Sequence, residues 1–288
     1  MRRSPEEIIE EHRAAGRLFS AGGTRSFVRE RGDGEAVVLL HGVPASCFLY
    51  RKMLAPLARA GFRAVAFDFP GLGLADRPRA FDYSWGGLAG WLGPALDALE
   101  IDSCHLVVHD IGGPVGCEWA VRSPDRLRSL TVLNAPLSPA TFKPPWTMRP
   151  FHTRLGAPYL ATMRRRTFAQ LFYMQGVANR WSVPREEVWA YYDLLKRGDG
   201  GRAFLRIMRG FELTQAKQDL IWSGLRKRSY PAQIVWGERD PALGMDKLEI
   251  AQQVLGIEDP TLLPAKHFLQ EDQALPLASK IADLARAA

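Results

Sequence analysis

Three residues stand out by side-chain type and by what precedes them. Asp110 follows the apolar run Leu106-Val107-Val108-His109 and leads into Ile111-Gly112-Gly113. A buried strand that enters a glycine-bearing turn and then a helix presents one side chain above the carboxyl edge of a sheet. Here that side chain is a carboxylate, and the turn holds no serine or cysteine. A carboxylate nucleophile attacks electrophilic carbon and forms an ester that water then cleaves; the bland alternative is an aspartate that caps the next helix. Asp240, in Trp236-Gly237-Glu238-Arg239-Asp240-Pro241, follows a later apolar run, and His267, in Pro264-Ala265-Lys266-His267-Phe268, follows the last one. In that order the three supply a nucleophile, an acid that orients the imidazole, and a base that deprotonates water. Asp246 is a weaker rival to Asp240. Asn134, at the end of an intervening strand, offers no carboxylate.

A fourth segment, His41-Gly42-Val43-Pro44, also follows a buried run. Its plain reading is a tight turn fixed by Gly and Pro, with His41 stabilising it. Its functional reading is an oxyanion site, in which the backbone N–H groups of Val43 and Ile111 stabilise charge on the Asp110 ester.

These residues must be held by strands. Ala36–Leu40, Arg63–Phe67, Leu106–Val108, Leu130–Leu133, Ala232–Trp236 and Thr261–Leu263 read as strands. Helices are expected over Ser46–Ala60, Tyr83–Leu99, Val115–Val121 and about Pro276–Ala287. Alternation of the two predicts an α/β fold, a mostly parallel sheet with crossover helices. After Asn134, prolines 136, 139, 144, 145, 150 and 158 crowd a stretch expected to be neither regular helix nor central strand. Helical signals return over Arg164–Tyr173, Arg185–Lys196 and Arg202–Glu212. The division expected is a core of residues 1–135 and 223–288 with an inserted helical unit of residues 136–222.

Composition sets the remaining bounds. The 288 residues are 47% hydrophobic and 24% charged, which suits one large domain or a core with an insertion. The net charge of +7 lies in the middle segment: Leu137–Trp222 holds 14 Lys/Arg against 6 Asp/Glu. No nucleic-acid motif accompanies it, so a solvated arginine-rich surface is expected, with no nucleic-acid partner. No apolar run suits a membrane span. The opening MRRSPEEIIEEHRAAG lacks the features of a signal peptide, and a cytoplasmic protein is expected. Cys47, Cys104 and Cys117 read as reduced core thiols, and the scattered histidines give no metal site. No cofactor is called for.

Together, His41-Gly42-Val43-Pro44-Ala45-Ser46, Pro70-Gly71-Leu72-Gly73, Val107-Val108-His109-Asp110-x-Gly112-Gly113 and His267-Phe268-Leu269-Gln270-Glu271-Asp272 resemble α/β-hydrolases, in the branch that holds haloalkane dehalogenases and epoxide hydrolases. The resemblance covers most of the chain outside the middle segment, which then corresponds to a helical cap. It implies a small hydrophobic organic substrate and water as reactants. Val108, Phe48-Leu49-Tyr50-Arg51 and the His267–Asp272 run are more similar to dehalogenases. That family usually places a halide-binding Trp after the nucleophile and an Asn in the His-Gly-x-Pro loop; this chain has Ile111 and Val43. Cap tryptophans such as Trp146, Trp181 or Trp189 are the substitutes the resemblance suggests. Epoxide hydrolases use cap tyrosines as proton donors: Tyr173 lies near the first expected place, Met208 occupies the second, and Tyr159, Tyr191 and Tyr192 remain. Dehalogenation comes first, epoxide opening second, and a non-enzymatic binding protein on the same fold third.

Overall fold

The computed structural model describes residues 3–288. The chain opens with helix α1 (Pro5–Ala14), then strands β1 (Arg17–Ala21), β2 (Thr24–Arg31) and β3 (Ala36–Leu40). Helix α2 (Leu54–Arg59), β4 (Arg63–Phe67), α3 (Trp85–Ala98), β5 (Cys104–His109), α4 (Gly112–Arg122) and β6 (Leu127–Leu133) follow. Between β6 and the next strand lie α5 (Gly156–Thr162), α6 (Arg165–Leu171), α7 (Arg185–Lys196), α8 (Arg202–Arg209) and α9 (Gln215–Arg226). The chain closes with β7 (Ala232–Gly237), α10 (Met245–Leu255), β8 (Thr261–Leu263), α11 (Leu269–Asp272) and α12 (Ala274–Ala287).

Among the described residues the strands form one sheet in the order β1-β2-β4-β3-β5-β6-β7-β8. From β4 to β8 every neighbouring pair is parallel, and β1 and β2 join antiparallel at one edge. β3 and β5 are buried along their whole length, as strands covered by helices on both faces must be. Parallel strands all end at one edge, so the turns after β3, β5, β7 and β8 meet there. The polar β1–β2 hairpin carried no run long enough to be read from sequence.

Two expected elements differ. The helix over Ser46–Ala60 is a 3₁₀ turn at Cys47–Tyr50 followed by α2. Pro56 lacks an N–H and its ring crowds the carbonyl four residues earlier, which disfavours a continuous helix through Lys52; α2 instead starts at Leu54, with Pro56 in its first turn. Conversely, α5 is helical and includes Pro158. The proline sits in its first turn, where the missing N–H had no intrahelical partner. The division expected at 222/223 falls inside α9, whose Lys217 reaches Glu118 and Glu212 and so fastens α9 to α4. The three cysteines are free and buried. Among the described residues no helix is long and apolar enough to cross a membrane.

Candidate active site

Asp110 stands in the turn between β5 and α4 with a φ of 51°, in the left-handed region. Asp tolerates that region better than most side chains. The turn is held by its own N–H donating to the Asn134 carbonyl at 3.1 Å and by the Gly113 N–H donating to the Asp110 carbonyl at 2.9 Å. Glycine is required around it. A Cβ on Gly42 would overlap the Asp110 carboxylate, and one on Gly113 would overlap Ala135.

Asp110, Asp240 and His267, taken from three separate strand ends, are brought together. His267 Nδ1 lies 2.8 Å from Asp240 Oδ2, and His267 Nε2 lies 3.6 Å from Asp110 Oδ2. The other Asp110 oxygen, Oδ1, accepts the Val43 N–H at 2.8 Å. The carboxylate thus has one oxygen engaged and one facing the imidazole. Burial raises the Asp110 pKa, while His267 and the N–H groups of Ile111 and Val43 oppose that rise. For His267, burial disfavours the charged ring, but the charge and hydrogen bond of Asp240, and the charge of Asp110, outweigh it and raise the pKa.

Asp240 is fixed as acceptor by the N–H groups of Ala242 (2.7 Å) and Leu243 (3.1 Å) on Oδ1. Asn134 donates to its Oδ2 at 2.8 Å and accepts the Gly237 N–H at 2.7 Å through Oδ1. Asn134 therefore joins both halves of the site, since its carbonyl also holds Asp110. Reading it only as a missing carboxylate overlooked this; its place at the end of β6 was the available signal. Asp246 is exposed at the start of α10 beside Lys247 and does not enter the site. His41 is a structural residue. It accepts the Phe69 N–H at 3.0 Å through Nε2, its Nδ1 lies 2.9 Å from the Gly42 carbonyl, and burial lowers its pKa to about 4.

Above Asp110 and His267 is a cavity of about 110 Å³. Val43, Ile111, Leu243 and Phe268 contribute to it from the sheet side, and Phe142, Phe168, Phe172, Phe204 and Met208 from the segment between β6 and β7. Among the described residues no Lys, Arg, Trp or Tyr lines it. Of the candidates in the helical segment, only Met208 is in the wall. Trp146 is 68% exposed and Trp181 is 81% exposed. Tyr173 donates its hydroxyl to the Val183 carbonyl at 2.9 Å, and Tyr159 packs against Phe151 outside the lining. Tyr191 donates to Glu271 and Tyr192 to the Met163 carbonyl. Tyr173, Tyr191 and Tyr192 each pack a ring on the helices and turn the hydroxyl to a local acceptor, which sequence position alone cannot reveal. The polar side chains that the segment does bring into the wall, Thr147 and Gln175, carried no signal in the sequence.

A carboxylate raised over the carboxyl edge of a parallel sheet, with an acid and a histidine at two later strand ends, is the arrangement of an α/β-hydrolase. The chain belongs to that family: residues 35–274 match the alpha/beta hydrolase fold. It lies in the branch of haloalkane dehalogenases and epoxide hydrolases. It is 30% identical to the haloalkane dehalogenase of Mycolicibacterium paratuberculosis over 258 residues, 86% of this chain and 83% of that protein. It is also 30% identical to haloalkane dehalogenase 2 of Mycobacterium bovis, over 92% of this chain and 93% of that one. Among solved structures, Cfl2 of Burkholderia cenocepacia superposes with a TM-score of 0.81 at 26% identity, covering 93% and 94% of the two chains. An epoxide hydrolase of Vigna radiata shares the fold, with a TM-score of 0.77 at 21% identity over 95% of this chain and 98% of that chain.

Proposed function

We propose that this chain hydrolyses a carbon–halogen bond of a small, uncharged, apolar substrate through an ester on Asp110. The observation that carries the reading is the asymmetric setting of Asp110 under an apolar cavity, with Oδ1 held by the Val43 N–H and Oδ2 open beside His267. The free oxygen, Oδ2, attacks the substrate carbon. The carbon–halogen bond breaks, and the halide leaves with the electron pair.

In the second step His267 Nε2 takes a proton from water, and the resulting hydroxide attacks Asp110 Cγ. The charge that develops on Oδ1 is met by the N–H groups of Val43 and Ile111. Collapse returns the carboxylate, and the alcohol leaves with the proton held by His267. Asp240, fixed by Asn134 and two backbone N–H groups, orients the imidazole and stabilises its charged form. The net reaction converts an alkyl halide and water to an alcohol, a proton and halide.

The wall narrows the substrate class. With no Lys or Arg in the cavity lining among the described residues, and His267 already paired with Asp240, a carboxylate-bearing substrate would lose its hydration without a free cation to replace it. Residues 136–214, ahead of α9, serve as the lid in this reading, with α9 belonging to the core.

Replacement of His267 by Gln should block the second step only. Incubated with a bromoalkane, that variant should gain the mass of the alkyl group on the peptide containing Asp110, while the unaltered protein releases halide and stays unmodified. An adduct with epoxides and none with bromoalkanes would instead assign epoxide opening, and binding of both without any adduct would favour a non-enzymatic role.

A further inference from the structure

We propose that Gln175, oriented by Thr147, donates a hydrogen bond to the leaving group, and that this makes a weakly basic halide the group the site accepts. The inference rests on the carbon–halogen reading above. Displacement at carbon is in line, so a group expelled by Asp110 moves away from the sheet edge, toward the segment between β6 and β7. What that segment contributes to the wall is otherwise apolar; Thr147 and Gln175 are its polar side chains there, among the described residues.

Their mutual geometry leaves a donor free. Thr147 Oγ1 donates to Gln175 Oε1 at 3.1 Å, which engages the amide oxygen. The amide nitrogen keeps two N–H groups. The backbone that carries Gln175 is tied to the loop that carries His267. Phe268 N–H donates to the Gly176 carbonyl at 2.7 Å, Lys266 Nζ donates to the Met174 carbonyl at 2.7 Å, and the rings of Phe172 and Phe268 stack with centroids 4.9 Å apart. Residues Phe172–Gly176 wind as a π-turn, an energetically uncommon geometry that recurs at functional sites.

The chemistry of an amide selects the leaving group. An N–H stabilises an anion by hydrogen bonding but does not give up its proton at neutral pH. A departing halide needs nothing more. An alkoxide from an opened epoxide needs a proton, and no tyrosine or lysine lines the cavity among the described residues.

The test uses bromohexane and chlorohexane with the His267→Gln protein, following alkylation of Asp110 by intact mass. Adding Gln175→Leu should slow alkylation roughly ten- to a hundredfold, the range for loss of one hydrogen bond to a charged group. The chloride compound should suffer more than the bromide, because the poorer leaving group depends more on the donor; a merely structural role would not alter that ratio. Thr147→Val, which frees the amide without removing it, should slow alkylation less. Bromide binding to the otherwise unaltered protein, read as bromine NMR line broadening, should weaken in Gln175→Leu. Equal alkylation rates and an unchanged bromide-to-chloride ratio would overturn the role of Gln175 and leave the carbon–halogen reading standing. Absence of both adduct and bromide broadening in the parent proteins would overturn both.

Discussion

His267 sits between two carboxylates, and the balance of burial against those charges decides when it can act as a base. Its pKa is raised, so a larger share of the ring is protonated near neutrality than for an ordinary histidine. In the proposed mechanism, hydrolysis of the Asp110 ester requires the neutral ring. Turnover should therefore fall as pH drops through this raised pKa, with the acid limb centred above the range of an ordinary histidine. Asp240→Asn removes the leading influence that raises it, so the limb should move to lower pH while the plateau drops by orders of magnitude. A pH–rate profile of both proteins checks this; an unmoved limb would mean another group titrates. The linkage has a matching sign. A pKa raised by folding stabilises the native state below the unfolded pKa, and that stabilisation is lost as pH rises through the folded value.

Elements set the geometry to within fractions of an ångström. Gly42 lets β3's turn approach Asp110, and Gly176 lets the π-turn lie against the Phe268 ring, where an added Cβ would come within 2.5 Å. Gly176→Ala must displace either the turn or the ring beside His267. We expect a stability loss of about 1–3 kcal/mol, typical of overpacking, and a larger proportional loss of activity. Chemical denaturation paired with halide-release assays separates the two. Full activity in Gly176→Ala would show that the turn and the histidine loop are not coupled.

Across the whole molecule, one buried ionic cluster joins the segment between β6 and β7 to the sheet. Arg51 bridges Glu271 of α11, at 2.5 Å, to Glu187 of α7, and Lys52 lies 2.7 Å from Glu271. The two cations hold the Glu271 pKa down against the opposing effect of burial. Arg51→Ala would leave buried carboxylates short of a partner, at an expected cost of about 3–5 kcal/mol. Denaturant titration should register that loss, and a shift within experimental error would show that the cluster relaxes into solvent. The basic surplus of the middle segment has a different place. Arg149, Arg206 and Arg209 donate to backbone carbonyls, Arg165 pairs with Asp193 and Glu6, and among the described residues no arginine is in the cavity wall. That charge borders the solvent and the loops, and an anionic substrate would find no Lys or Arg beside Asp110 among the described residues.

The parallel strands, the turn bearing Asp110 and the later positions of Asp240 and His267 were legible in the sequence because each depends on local pattern. Buried strands are apolar runs, and strained turns need glycine at fixed offsets. The resemblance named the class for the same reason. Apart from Met208, which side chains between β6 and β7 face the cavity was not legible. Tyr173, Tyr159 and Trp146 lie close in sequence to cavity residues, yet their direction depends on how α5 to α8 and the π-turn pack. Asn134 gained its role only when β6 came to lie between β5 and β7, placing one side chain within reach of both Asp240 and the turn of Asp110. Sequence alone determined the class of the site and the identity of its acid, base and nucleophile candidates. Tertiary structure decided what surrounds the reacting carbon, because hydrogen bonds and cavity walls are made by residues far apart in the chain.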